Sequence, residues 1–227
     1  MLILAIDTAL AACAAGIFDT DGSKTLASES LVMVRGHAEA LMPLIARVMD
    51  KAGTEFSDLD RVAVTVGPGS FTGLRVGISA ARGIALVSGK PAVGISTLLA
   101  YSAPHIANDD DAAIVAAIDA RHDQVYLQVF ASTGRTLIAP ALSTVRDAVH
   151  AAVPGSGRIV GSGAGLLAAD WPVGAAPPLM VDSQGAPAIE WVARLGAAVQ
   201  KTNTAPTPFY LRGPDARSQD GARLPRQ

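Results

Sequence analysis

Residues 66–84 read VGPGSFTGLRVGISAARGI, and this stretch decides the fold. The β-branched run before it, residues 61–66, predicts a strand that is buried on both faces. Glycine and proline at positions 67–69 end that strand in a tight turn, and Ser70 or Thr72 is placed to cap the helix that follows. A strand that leads through a glycine turn into a helix indicates an α/β fold.

The same turn resembles a phosphate-binding loop only in part. Backbone N–H groups at the start of a helix attract anions. A Walker A loop, however, ends in a lysine followed by Ser or Thr, whereas here Phe71, Thr72 and Gly73 follow and no lysine occurs before Lys90. The sequence therefore argues against a P-loop nucleotidase.

The predicted helix carries a strip of small residues. Gly73, Gly77, Ala80 and Ala81 lie three or four positions apart, so they share one face where another backbone can approach closely. Interior glycines cost about 1 kcal/mol each relative to alanine, and close packing is expected to recover that cost. The spacing leaves two interpretations open, packing inside one domain or a subunit interface.

Composition limits the class of protein. The chain has 227 residues, of which 50% are hydrophobic, so it can bury a substantial core. A formal net charge of −2 does not favour unaided binding of nucleic acid. The single cysteine, Cys13, fits a reducing compartment, and Asp7 interrupts the apolar opening MLILAIDT. We expect a cytoplasmic protein without a membrane-spanning segment.

The order of elements predicts two lobes and a tail. The first lobe, residues 1–104, is expected to contain three antiparallel strands, a helix over 37–52, the strand and helix around the glycine turn, and a helix over 96–104. The polar stretch 105–111 marks a boundary. The second lobe, residues 105–212, opens with strands again, which hints at a duplicated architecture, and ends with a helix over 189–199. Residues 213–227 are expected to be a mobile tail.

Groups able to do chemistry are sparse. Asp7 ends a strand, where it either holds a hydrated magnesium ion near a phosphate or caps the strand. His37 lacks a second histidine one turn later, because position 41 is leucine, so a helical zinc site is not predicted. The charged turn 119–123 is expected to be a solvated hairpin tip. The residues alone favour binding or assembly over catalysis.

Five motifs in this order resemble the TsaB (YeaZ) family, an accessory subunit of the bacterial machinery that makes threonylcarbamoyladenosine in tRNA. They are LAIDTA at 4–9, HAEALMP at 37–43, GPGSFTGLRVG at 67–77, IDARHDQVY at 118–126 and PFYLRGPDAR at 208–217. The resemblance spans nearly the whole chain. It implies an α/β protein with the actin-like ATPase fold of Hsp70 and sugar kinases, built from two related lobes and closed by the C-terminal helix.

The resemblance also implies a partner, the paralogous catalytic subunit TsaD, held through a helical bundle of helices 37–52 and 72–88. The implied interface residues are His37, Leu41, Leu44, Ile45, Thr72, Gly73, Arg75, Val76, Gly77 and Ala80. Replacing Gly77 with leucine should abolish pairing while leaving the monomer folded. TsaD carries a paired-histidine metal motif where this chain has HAEALMP, so the resemblance implies no metal site and no catalytic residue here.

In such assemblies an ATPase, TsaE, joins the pair, and TsaD transfers threonylcarbamoyl from an adenylate to adenosine 37 of tRNAs reading ANN codons. The role implied for this chain is scaffold and activator, with tRNA contacted only indirectly. Asp7 and Thr8 would be a vestigial nucleotide site, with ATP or ADP bound only in the assembled complex. Two alternatives remain: an independent enzyme of the superfamily, either a small-molecule kinase or metallopeptidase-like, and a homodimer that uses the same helical surface.

Overall fold

Two five-stranded mixed sheets organise the part of the chain that the computed structural model describes, residues 1–106, 111–155, 157–200 and 204–213. The first sheet consists of β1 (Leu2–Asp7), β2 (Ala12–Asp19), β3 (Lys24–Val32), β4 (Arg61–Gly67) and β5 (Ala92–Ser96). The second consists of β6 (Ile114–Arg121), β7 (Gln124–Phe130), β8 (Thr136–Thr144), β9 (Arg158–Val160) and β10 (Met180–Asp182). The helices are α1 (His37–Ala52), α2 (Phe71–Ser88), α3 (Thr97–Ser102), α4 (Val145–Ala152), α5 (Ala164–Ala169) and α6 (Ile189–Ala198).

The two sheets have the same topology. The first runs in the order β3-β2-β1-β4-β5, and the second in the order β8-β7-β6-β9-β10. In each sheet, the first three strands in chain order pair antiparallel with one another. The fourth strand pairs parallel with the first, and the fifth pairs parallel with the fourth. Each parallel connection contains a helix, as parallel pairing requires. The duplication hinted at by the sequence is confirmed, and the fold is actin-like.

Helices cover both faces of the first sheet. Strand β1 is buried on both sides because Leu4 and Ile6 pack under α1 and α2, whereas Ile3 and Ala5 pack against α6. Helices α4 and α5 cover the outer face of the second sheet. Helix α3 fills the space between the lobes, with Leu98 and others packed on β6.

Helices α6 and α3 both pack against the sheet of the lobe to which the sequence analysis did not assign them. Helix α6 lies within residues 105–212, which the sequence analysis assigned to the second lobe, yet it packs on β1, β2 and β4 of the first sheet. Helix α3 follows β5 of the first sheet in the chain, but it packs mainly against β6 of the second sheet. Residues 107–110 of the predicted boundary and 214–227 of the predicted tail lie outside the described residues.

Three elements differ from the sequence-based assignment. The sequence analysis assigned neither strands β8 and β10 nor helix α5. Strand β8 is an exposed edge strand with Pro140 in its interior, so it lacks the alternation that marks a half-buried strand.

Candidate partner-binding groove and interlobe cleft

The glycine turn packs against the loop that follows β1. Ser70 is the cap of α2, since its Oγ accepts from the Gly73 N–H at 3.2 Å, and its own N–H donates to the Ala9 carbonyl at 2.7 Å. A Cβ on Gly69 would collide with the Ala9 carbonyl, and one on Gly73 with the Thr8 carbonyl. Glycine at these positions therefore lets the start of α2 lie directly on residues 8–9.

Asp7 and Thr8, the predicted vestigial nucleotide site, are buried behind this contact. Asp7 Oδ1 accepts from the Thr65 hydroxyl at 2.5 Å and from the Ala9 N–H at 3.0 Å, while Oδ2 has no partner in the described structure. Burial raises the pKa of the Asp7 carboxyl, and the hydrogen bond from Thr65 opposes that rise. The Thr8 hydroxyl donates to the Gly73 carbonyl at 2.8 Å. Neither residue is among those that line the cleft between the lobes.

A cleft of 460 Å³ lies between the lobes. Its walls are the loop 9–11, the turn 68–71, the tip of the β6–β7 hairpin and the C-terminal segment, residues 206–213. The hairpin tip is exposed, as expected, but it also faces this cleft with Arg121 and His122. Arg121, His122 and Asp123 all adopt positive φ angles, 65°, 52° and 57°, which is costly for residues other than glycine. Sequence spacing carries no signal for that conformation.

The C-terminal segment crosses from one lobe to the other. The Phe209 N–H donates to the Val66 carbonyl at 2.7 Å, which extends the pairing of β4. On the second lobe, the Arg212 guanidinium donates to the Ala120 carbonyl at 2.8 Å and to Gln124 Oε1. The segment thereby ties the glycine turn to the hairpin tip.

Half of the predicted interface residues belong to the core of this chain. Leu41, Leu44, Ile45, Gly73 and Gly77 are buried, and the leucine and isoleucine side chains pack against the first sheet. At Gly77 an added Cβ would collide with the Thr8 hydroxyl, so a larger side chain there must disturb packing inside this chain as well as any partner contact. For Gly73 and Gly77, the small-residue strip serves packing inside one domain.

His37 is buried as well, with 7% of its surface exposed. Its Nε2 lies 3.1 Å from the Leu10 carbonyl, which gives the ring a hydrogen-bond partner at the start of α1. The side chain one turn later is Leu41, as the sequence shows, and it is buried. Over the described residues, no group of three or more His, Cys, Asp or Glu side chains is placed to hold a metal ion.

The other predicted interface residues line an exposed groove between α1 and α2. Thr72, Arg75, Val76 and Ala80 form the α2 wall of this groove, whose volume is 540 Å³. The α1 wall is formed by Ala38, Met42 and the edge of Leu41. Ala38 and Met42 were not among the predicted interface residues. Both are apolar residues of α1 that lie outside the row of buried residues packed against the first sheet. Met42 is 47% exposed, which leaves an apolar side chain in solvent.

Arg75 stands at one end of the groove in a fixed position. Its guanidinium lies 3.8 Å above the centre of the Phe71 ring, and its Nε donates to the Tyr210 hydroxyl at 3.1 Å. Phe71 and Tyr210 stack with ring centres 5.0 Å apart. Phe71 lines both the groove and the cleft, so this cluster connects the two.

The fold and these sites define a two-lobed, actin-like protein with an apolar groove on its first two helices. The family model described as TsaD: tRNA N6-adenosine threonylcarbamoyltransferase matches residues 30–217. That match shows that the chain belongs to this family. Within the family, the chain is similar to the TsaB and YeaZ proteins described next. None of the helices in the described part is long and apolar enough to cross a membrane.

Two relatives match different shares of this chain. The tRNA threonylcarbamoyladenosine biosynthesis protein TsaB of Escherichia coli is 37% identical over 126 residues, which cover 56% of this chain and 53% of that protein. This match thus spans about half the length of the E. coli relative. An uncharacterized protein of Mycobacterium tuberculosis is 34% identical over 220 residues, covering 95% of this chain and 93% of its own.

Solved structures agree with that assignment. YeaZ from Pseudomonas aeruginosa superposes with a TM-score of 0.68 at 26% identity, covering 86% of this chain and 90% of that one. A second structure, described as an uncharacterized protein from P. aeruginosa with similarity to peptidase YeaZ, superposes with a TM-score of 0.74 at 26% identity, covering 93% and 99%. The likeness extends across both lobes.

Proposed function

We propose that this chain is the noncatalytic scaffold and activator subunit that binds a TsaD partner in the groove between α1 and α2. In this role it supports transfer of threonylcarbamoyl to N6 of adenosine 37 in tRNAs reading ANN codons, in the cytoplasm. The observation that carries the proposal is the groove itself, an exposed apolar surface formed by the two motifs HAEALMP and GPGSFTGLRVG. The name of the E. coli relative, a threonylcarbamoyladenosine biosynthesis protein, supports the pathway.

The groove has the properties of a helix-binding surface. Its two helices are fixed by buried residues on their inner faces, so the outer faces are presented rigidly. Small residues such as Ala38 and Ala80 permit a partner helix to approach, and Met42 adapts to its shape. Contiguous exposed apolar surface of this kind marks interaction sites, because covering it removes that surface from water at about 25 cal/mol per Å².

We propose that the chain has no catalytic role because of the surroundings of His37 and Asp7. His37 is held by the Leu10 carbonyl, and the next position that could supply a metal ligand is the buried Leu41. Asp7 is sealed behind the glycine turn. TsaE would join the larger complex, and ATP or ADP would bind only there. Contact with tRNA would be indirect, consistent with a net charge of −2.

The test is complex formation with the TsaD protein of the same genome, followed by size exclusion with light scattering. The wild-type chain should form a defined complex, and Met42→Glu should abolish it because a charge then sits in the apolar groove. Leu166→Glu is the matched control, since Leu166 is 42% exposed on α5, away from the groove. No complex with or without nucleotide, or an equal loss in both variants, would contradict the proposal.

The same mixture distinguishes the alternative occupant. A homodimer through this groove would dissociate when TsaD is added, because both partners need the same surface. A ternary species that keeps the dimer intact would instead place TsaD elsewhere on the chain. An independent enzyme would be indicated by activity of the purified chain without TsaD.

A further inference from the structure

We infer that the partner surface continues from the groove onto the C-terminal segment, and that Arg75 at this junction receives a carboxylate of the partner. The inference rests on the proposed function and adds the chemistry that the partner must supply: an apolar helix face bordered by an acidic side chain.

The first argument is the preorganisation of Arg75. The Phe71 ring beneath its guanidinium and the Tyr210 hydroxyl at its Nε hold the side chain in one place. Tyr210 is positioned in turn by its stacking on Phe71 and by the backbone bond of its neighbour Phe209 to β4. Ordering a long side chain on binding opposes association, and here the ring contact and the hydrogen bond already restrict the Arg75 side chain before the partner arrives. The terminal nitrogens of a guanidinium match a carboxylate in a two-point contact.

The second argument is charge. No carboxylate pairs with Arg75 among the residues that the structure describes, whereas three other arginines are paired internally. Those pairs are Arg47 with Glu29, Arg121 with Asp119 and Arg194 with Glu190. Helix α2 contains Arg75 and Arg82 and no acidic residue, and the groove lining contains no acidic residue either. Arg75 is therefore the one charged residue in the described groove lining, beside mainly apolar side chains, and its electrostatic complement is acidic.

The same charges argue against a second copy of this chain as the occupant. In an isologous dimer both copies present the same patch, so each Arg75 must find its partner within that patch. The lining offers no carboxylate for it. Within the described groove lining, a different protein with an acidic side chain therefore complements Arg75, whereas the same lining on a second copy does not.

The experiment measures affinity and association rate for TsaD from the same genome, using wild type, Arg75→Gln, Arg75→Glu and the control Arg146→Glu. Arg146 is exposed on α4 of the second lobe, so its variant makes the same charge change at a distance. We expect roughly tenfold weaker binding for Arg75→Gln and a larger loss for Arg75→Glu, with Arg146→Glu close to wild type. The association rate of Arg75→Gln should also depend less steeply on salt.

Two further variants separate recognition from a structural effect. Arg75→Lys keeps the charge and should retain the salt dependence, and Tyr210→Phe keeps the ring stack but removes the acceptor that positions Arg75. We expect Tyr210→Phe to weaken binding less than Arg75→Gln. Wild-type affinity and salt dependence in Arg75→Glu would overturn the inference while leaving the proposed function intact. Failure of the wild type to bind TsaD would overturn both, and a homodimer disrupted by Arg75→Glu would identify a second copy as the occupant and overturn the acidic partner.

Discussion

Alanine at two glycines of α2 is expected to change stability in opposite directions. Gly77→Ala places a methyl group against the Thr8 hydroxyl, which is itself bonded to the Gly73 carbonyl. Gly83→Ala places the same methyl group in open space, with nothing within 4 Å. Both substitutions have the same intrinsic effect on the helix, so the difference between them isolates the contact with Thr8.

The magnitudes follow from three contributions. Replacing an interior helical glycine by alanine stabilises the helix by up to about 1 kcal/mol. At Gly77 this gain is opposed by overpacking, about 1 to 3 kcal/mol, and by loss of the Thr8 hydrogen bond, about 1 kcal/mol. We therefore expect Gly77→Ala to lower the free energy of unfolding by about 1 to 3 kcal/mol, and Gly83→Ala to raise it by up to about 1 kcal/mol. For a chain of this length, 1 kcal/mol shifts Tm by about 2 to 4 °C.

A double-mutant cycle with Thr8→Ala tests the cause. Without the hydroxyl, the nearest atoms to the new methyl group are Val64 Cγ2 at 3.4 Å and Ile6 Cγ2 at 3.7 Å, which are ordinary contact distances. The cost of Gly77→Ala should then largely disappear, giving a coupling of about 1 to 3 kcal/mol by urea unfolding. Additive effects of the two substitutions, or a Gly77→Ala variant as stable as Gly83→Ala, would refute the packing of α2 on Thr8.

Two other predictions concern buried ionisable groups. Arg61 is 5% exposed, and its Nη1 donates to the carbonyls of Gly196 and Val199 at 2.6 Å each. Arg61→Met should therefore remove the cap of α6 and lower the free energy of unfolding by about 2 to 3 kcal/mol, whereas Arg146→Met, at an exposed position, should not. Equal urea midpoints for the two variants would contradict this prediction. Burial raises the pKa of Asp7, so the stability that its carboxyl contributes is complete below its ordinary pKa and is lost as pH rises through the folded pKa. The stability of Asp7→Asn relative to wild type should therefore increase as pH rises above the ordinary pKa of aspartate, and a difference independent of pH would contradict a raised pKa of Asp7 in the folded chain.

The elements that the sequence predicted well are those with a strong hydrophobic period. Helix α1 begins at His37 and ends at Ala52, as predicted, because its core stripe and the glycine after it mark both the face and the end. The buried strands β1 and β4 were predicted from their apolar runs. Edge strand β8 was missed because an edge strand has little burial to impose a pattern on its sequence.

The lobe assignment of α6 shows a different limit. Its apolar stripe predicts that the helix is buried, and Val192 and Ala193 are indeed buried. The stripe does not reveal which sheet it covers, because an apolar face fits either lobe equally well. The buried Arg61, whose guanidinium reaches the carbonyl end of α6 from a distant strand, is the specific contact that fixes the choice, and nothing local in the sequence announces it.

Residues of the motif GPGSFTGLRVG serve two purposes, packing inside the chain and forming the groove. The helical period places the residues of these two sets on different faces of α2. Gly73 and Gly77 face inward and hold α2 against Thr8, while Thr72, Arg75 and Val76 face outward into the groove. Sequence spacing identified a face of small residues but could not say whether its neighbour was another chain or the loop after β1. The structure packs Gly73 and Gly77 of that face against the chain itself and leaves Ala80 in the groove, so substitutions at the two glycines should lower stability. Substitutions on the outward face should change affinity at constant stability, and this division makes the proposed interface separable from the fold by experiment.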